Sequence, residues 1–245
     1  MVKSIDYELR KRAVFTSAIN RYIHNAIPVA SDDIAAEFDL SSATIRSVFA
    51  DLEEDGFLTH AHTSGGRIPT NKGYRYYVDF LLSQMELLDT EKEQVVKEYK
   101  NEIKRLDDVL EKTSEVISAI THYTGIVSFL EWQDKFFYKG ISRVLEEPEF
   151  RDYERVRLLI KVIEDKKRIL GIINRDFSGD VMVYIGEELG APEMEDCSLI
   201  VSAYHIKDKP SGRLAVLGPK RMKYKHTISA LEYISDILQD VLNKI

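Results

Sequence analysis

Apolar positions along the first 25 residues recur at close to the helical period: Leu9, Val14, Phe15, Ala18, Ile19, Tyr22 and Ile23. They predict a helix over 5–25, ended by Pro28. A short second helix, SDDIAAEF, is expected to start at Ser31 as its cap, with Asp32 and Asp33 in the first turn complementing the helix dipole. Asp39-Leu40 reads as a tight turn, and Ser41 or Ser42 as the cap of a third helix running through ATIRSVFADLEED to Gly56. FLTHAH then alternates as a strand does, TSGG makes a flexible tip, and Arg67-Ile68 begins a return that Pro69 ends. Thr70 caps a further helix, NKGYRYYVDFLL. Two short helices joined by a tight turn and followed by a small hairpin predict a winged helix-turn-helix over residues 1–82.

The pattern changes twice more. Thr90 and Glu93 have capping-box spacing, and beyond them Val96, Tyr99, Ile103, Leu106, Leu110, Thr113, Ile117 and Ile120 alternate at intervals of three and four. This predicts a helical connector over 83–122, either a dimeric coiled coil with Val96, Tyr99, Ile103, Leu106, Leu110, Ile117 and Ile120 as its seam, or an amphipathic helix lying on its own C-terminal domain. From about Thr124 short β-rich runs follow: TGIVSFL, KFFYKGI, RILGIIN, DVMVYIG, CSLIVSAYHI and GRLAVLG. One helix, PEFRDYERVRLLIKVIED, interrupts them and a last helix starts near Tyr224. Residues 123–245 are therefore expected to form an α+β domain with an antiparallel sheet and packing helices.

Composition narrows the function classes. The chain has 44% hydrophobic and 31% charged residues, and no apolar run approaches the ~18 residues of a membrane helix. The first fifteen residues mix acids and bases with no apolar core before a small-residue cleavage site, so no secretory signal is read. The single cysteine, Cys197, suits a reducing compartment, and a cytoplasmic protein is expected. No Cys/His spacing suggests a metal, no cofactor is implied, and no phosphate loop, nucleophile elbow or HExxH points to an enzyme. Glu187-Glu188 reads as a solvated strand end rather than paired catalytic acids. Arg221, near a helix start, is expected to pair with an acid such as Glu187.

The formal net charge of −7 opposes DNA binding, and the first 82 residues carry no cationic surplus. The charges are segregated, however. Acids gather at Asp32, Asp33, Glu37, Asp39 and over 51–55, and bases at Arg10, Lys11, Arg12, Arg21, Arg46 and Arg67. A major groove would receive the first turns of the third helix, bringing Ser42, Thr44, Arg46 and Ser47 to base edges or phosphates. Thr63, Ser64, Gly66 and Arg67 on the wing are expected at phosphates or the minor groove.

These same residues carry a resemblance. SSATIRSVFADLEEDGFLTHAHTSGGRIPTNKGYRYYVD is similar to the signature of the HrcA family of heat-inducible transcription repressors, which pairs Ser-Ser-Ala-Thr-Ile-Arg with His-Thr-Ser-x-Gly-Arg-x-Pro-Thr and Lys-Gly-Tyr-Arg-Tyr-Tyr-Val-Asp. Ser47-Val48 stands where the family usually has Asn-Glu, and Gly65 where Ala is usual. More loosely, the Phe137–Phe150 segment, Ile185-Gly186-Glu187-Glu188 and the Leu217–Tyr224 segment resemble family motifs, Lys220 and Lys223 being departures. The resemblance implies a GAF-like C-terminal domain, repression of chaperone operons, a dimer on double-stranded DNA at an inverted-repeat operator called CIRCE, and a GroEL-type chaperonin as partner. Typical members carry a dimerising insertion, for which this chain has no room between Phe129 and Phe137; the Val96–Ile120 seam is the expected substitute. The alternative is a winged-helix regulator that binds a small molecule in the GAF-like domain.

Overall fold

The computed structural model describes residues 2–61, 65–81, 89–99, 106–130, 136–175, 181–207 and 209–243. They fall into two compact units, Met1–Ser83 and Gln84–Ile245.

In the first unit, α1 (Val2–Asn25), α2 (Ser31–Phe38), α3 (Ser42–Glu54) and α4 (Asn71–Leu81) enclose a core of Val14, Phe15, Ile19, Ile34, Ile45, Val48, Phe49, Tyr74 and Val78. Strands β1 (Leu58–His60) and β2 (Arg67–Pro69) pair antiparallel with His60 opposite Arg67, and Val29 adds a bridge to Arg67 on the far side. Two caps differ in kind. Ser41 caps α3 by accepting from the Thr44 N–H at 3.1 Å, whereas α2 starts at Ser31 itself, with Ala30 as an N-cap that contributes no side-chain bond. Asp39 turns the chain between α2 and α3 in the left-handed region, φ 51°. Thr70 ties the hairpin to α4: its hydroxyl donates to the Gly56 carbonyl at 2.6 Å and accepts from the Gly73 N–H at 3.0 Å. Gly73 must be glycine, because a Cβ there would lie 2.2 Å from the Phe57 carbonyl oxygen.

In the second unit a sheet runs in the order β4-β3-β7-β6-β5, antiparallel throughout: β3 (Thr124–Phe129), β4 (Phe136–Lys139), β5 (Val181–Ile185), β6 (Cys197–Ile206) and β7 (Lys209–Pro219). Among the helices that accompany it, α6 (Leu106–Thr121) packs on β3 and α10 (Tyr224–Leu242) on β6, while α5 (Asp89–Tyr99) rests on both of these helices. Residues of alternate register, Ile126, Leu199, Val201, Ala215 and Leu217, instead join a core with α7 (Ile141–Leu145), α8 (Tyr153–Glu164) and α9 (Lys166–Ile173). Cover on both faces explains why β6 and β7 are apolar runs rather than alternating ones.

Two expectations need correction. RILGIIN is helical, not a strand: Asp165 caps α9 by accepting from the Arg168 N–H at 3.2 Å, and Ile169, Ile172 and Ile173 line its buried side. The seam fails as a free surface, because Leu110, Thr113, Ile117 and Ile120 are buried within their own unit, where α6 covers β3 and meets α10. Val96 and Leu106 are half-buried, while Ile103 and the side chain of Tyr99 lie outside the described residues.

Candidate nucleic-acid interface

The buried side of α3 is set by Ile45, Val48, Phe49 and Leu52. Helical geometry then turns Ala43, Arg46, Ser47 and Ala50, at spacings of three and four, to the exposed side. Arg46 and Ser47, both expected from sequence to face DNA, sit side by side at the centre of this stripe. Ala43 and Ala50 flank them; the period that assigns the core face also assigns these two, though their lack of polar atoms gives no chemical signal in the sequence. Ser42 and Thr44 are half-buried, and the Thr44 hydroxyl lies 2.8 Å from the Ser41 hydroxyl inside the helix cap. Arg46 forms no ion pair among the described residues, which leaves its five N–H donors to an incoming acceptor.

The remaining cations of this unit are mostly committed. Lys11 Nζ meets Asp55 at 2.6 Å, Lys72 donates to the Asp55 carbonyl at 2.7 Å, and Arg12 Nε donates to the Tyr76 hydroxyl at 3.2 Å. The acids at the end of α3 are committed in the same way: Asp51 accepts from the Tyr7 hydroxyl, and Glu53 faces the wing. Two of the four acids over 51–55, Glu53 and Asp55, are thus paired with cations within the fold, which moderates the repulsion of DNA that the run suggests.

The wing departs from expectation. The Arg67 side chain is only 14% exposed; its Nε lies 3.0 Å from Glu53 Oε1, and its Nη1 donates to the Gly65 carbonyl at 2.8 Å. His60 Nδ1 stands 2.5 Å from the same Glu53 oxygen. The Arg67 backbone exchanges hydrogen bonds with Val29 in both directions at 2.9 Å. Gly66 is buried against Pro28, whose Cβ would lie 2.8 Å from an added Cβ, so this glycine serves packing inside the fold. Thr63 and Ser64 lie outside the described residues. In the sequence Glu53 is indistinguishable from its neighbours in an acid run, and only the fold singles it out.

Polar groups of the second unit serve the fold. Arg221 pairs with Glu149, Nε to Oε1 at 2.8 Å, and with Glu147, not with Glu187. It thereby joins the start of α10 to the Pro148–Phe150 turn. Glu188 folds back to accept from the Ile185 N–H at 2.9 Å, while Glu187 lines a cleft of about 400 Å³ with Gly190, Ala191, Pro192 and Glu195. Cys197 is buried, and burial raises its thiol pKa well above the ordinary range. No group of His, Cys, Asp and Glu among the described residues could hold a metal ion, and no helix there is long and apolar enough to cross a membrane.

Comparison with known proteins bears on both units. Residues 128–228 match the family model described as HrcA protein C terminal domain. The heat-inducible transcription repressor HrcA of Carboxydothermus hydrogenoformans is 28% identical over 333 aligned positions, covering 95% of this chain and 97% of that protein. The protein of the same name from Bacillus pumilus is 28% identical over 337, covering 96% and 98%. Both alignments are far longer than the 245 residues of this chain, so the relatives hold a substantial stretch with no counterpart here. Among solved structures, a hypothetical protein superposes with a TM-score of 0.80 at 19% identity, covering 96% of this chain and 98% of that one, which shows the shared fold.

Proposed function

We propose that this chain is a member of the HrcA family, to whose C-terminal domain model and repressors it is similar, and that it is a DNA-binding transcription repressor of heat-shock operons that reads its operator with α3. The observation that carries the reading is the exposed stripe Ala43, Arg46, Ser47 and Ala50 on the second helix of a helix-turn-helix, with Arg46 unpaired among the described residues. An arginine there is suited to the O6 and N7 of a guanine, and the alanine methyls to a thymine methyl. Phosphates next to the helix meet its first-turn N–H groups and the Ser42 hydroxyl.

The operator we propose is an inverted repeat of the CIRCE type, bound by two copies of the chain with one α3 in each half-site. Coupling to heat would run through a GroEL-type chaperonin that sustains the folded repressor, so that withdrawal of the chaperonin lowers the active fraction. The family relationship supports both proposals. Ser47, where relatives usually carry asparagine, gives this chain a shorter side chain beside Arg46 and a correspondingly altered preference at one operator position.

The experiment is binding to an inverted-repeat duplex and to a scrambled duplex at several salt concentrations. Selective binding with two chains per duplex is expected. Equal, weak binding to both duplexes would remove the repressor reading.

A further inference from the structure

We propose that Glu53 is a positioning residue for operator recognition, a staple that fixes the wing against α3, and that Arg67 serves this staple rather than reaching phosphate. The inference rests on the DNA-binding reading above and adds how the two DNA-facing parts are held in register.

Three contacts carry it. Glu53 lies near the end of α3, and one of its carboxylate oxygens lies against both strands of the wing: Arg67 of β2 at 3.0 Å, and His60 of β1 at 2.5 Å, which adds a charge pair when the imidazole is protonated. These two residues face each other across the hairpin, so a single carboxylate spans the ladder. Arg67 adds its own tie to the wing through the Gly65 carbonyl at 2.8 Å, while its backbone holds Val29. A hairpin of three residues per strand is too short to fix its own direction, since isolated two-stranded pairs are marginal in water. The Val29 pairing and the packing of Gly66 on Pro28 hold its far side, and Glu53 ties it to the end of α3.

Arg67 makes two separate contacts, a charge pair of its buried Nε with Glu53 that is not a hydrogen bond and an Nη1 bond to the Gly65 carbonyl, and the single ammonium of a lysine cannot reproduce both. A phosphate contact, by contrast, asks only for a positive charge, which lysine also supplies. The two roles also predict opposite outcomes at Glu53. Removing its negative charge should tighten DNA binding if electrostatics alone mattered, and should weaken binding if the staple positions the wing.

The test uses the full-length chain with the inverted-repeat and scrambled duplexes across a salt series, and adds amide hydrogen exchange without DNA. Glu53→Gln is expected to weaken selective binding about tenfold and to speed exchange in the wing but not in α3. Arg67→Ala is expected to weaken binding with the wild-type dependence of log K on log salt, and Arg67→Lys to restore little of the loss. Several results would overturn the proposal: tighter binding by Glu53→Gln, full rescue by Arg67→Lys, or a salt slope in Arg67→Ala flattened by the ~0.9 that one lost phosphate contact gives. Unchanged wing exchange in Glu53→Gln would also overturn the staple, whatever happens on DNA. If the wild-type chain fails to discriminate the duplexes, the operator reading falls instead, and the exchange result still decides whether Glu53 holds the wing.

Discussion

Arg46 and Arg67 look equivalent in the sequence, each a lone arginine beside small residues, yet their surroundings give them different tasks. Arg46 projects from the open face of α3, so its removal should alter DNA selectivity and little else. Arg46→Ala is expected to lose about 1–3 kcal/mol of preference for the inverted repeat. Its unfolding free energy should stay within the ~0.5 kcal/mol usual for surface changes; a clearly earlier melt would show that Arg46 packs on the fold. At Tyr7 the consequence is a pH dependence. Its hydroxyl donates to Asp51, and this bond together with burial pushes its pKa up to about 12. Tyrosine in an unfolded chain ionises near 10. The raised folded value therefore contributes stability that is fully present below about pH 10 and is lost as pH rises through about 12. Tyr7→Phe should lessen the alkaline loss of stability, and a near-UV titration should show one fewer late-ionising tyrosine. An alkaline profile identical to wild type would deny the Tyr7–Asp51 bond.

Elements defined by caps and a clear period are legible in the sequence, and those defined only by an apolar run are not. The core face of α3, the Asp39 turn and the Thr70 cap all follow from residue type and spacing. The run RILGIIN carries no such marker, because a short apolar stretch fits a buried strand and a buried helix alike. What decides it is the Asp165 side chain, which satisfies an N–H of the first turn and starts α9. The role of Arg67 is hidden for a similar reason: a sequence shows that an arginine is next to two glycines, not that a glutamate fourteen residues earlier faces it. Two measurements follow at this scale. Ser41→Ala removes the side-chain cap of α3 and should cost about 1 kcal/mol of stability. Leu110→Ala should cost about 2–5 kcal/mol as a core cavity, by an amount independent of protein concentration. A loss that vanished at high concentration would return Leu110 to a dimer seam.

Leu110, Ile117 and Ile120 are turned into their own unit, so the two-chain assembly proposed on the operator would have to form without them. Two-fold DNA supplies one route, since each half-site can hold one chain and bring the second near. The chain's net charge of −7 would make such an association sensitive to salt, opposing approach overall while the proposed contacts at α3 favoured it. Each unit buries its own core, so stability can be followed unit by unit. Cys197 reports on the second unit. It sits in the core with Leu199 and Met194, and its raised pKa keeps it a thiol, whereas the thiolate is the species that reacts. Labelling by a disulfide reagent must therefore wait for that unit to open. Phe49→Ala should cost the first unit about 3–5 kcal/mol and leave the labelling rate of Cys197 unchanged, whereas Leu199→Ala should speed it. Equal acceleration by both variants would mean that the units open together, and the chaperonin proposed to sustain the folded repressor would then have to act on the whole chain at once rather than on one half of it.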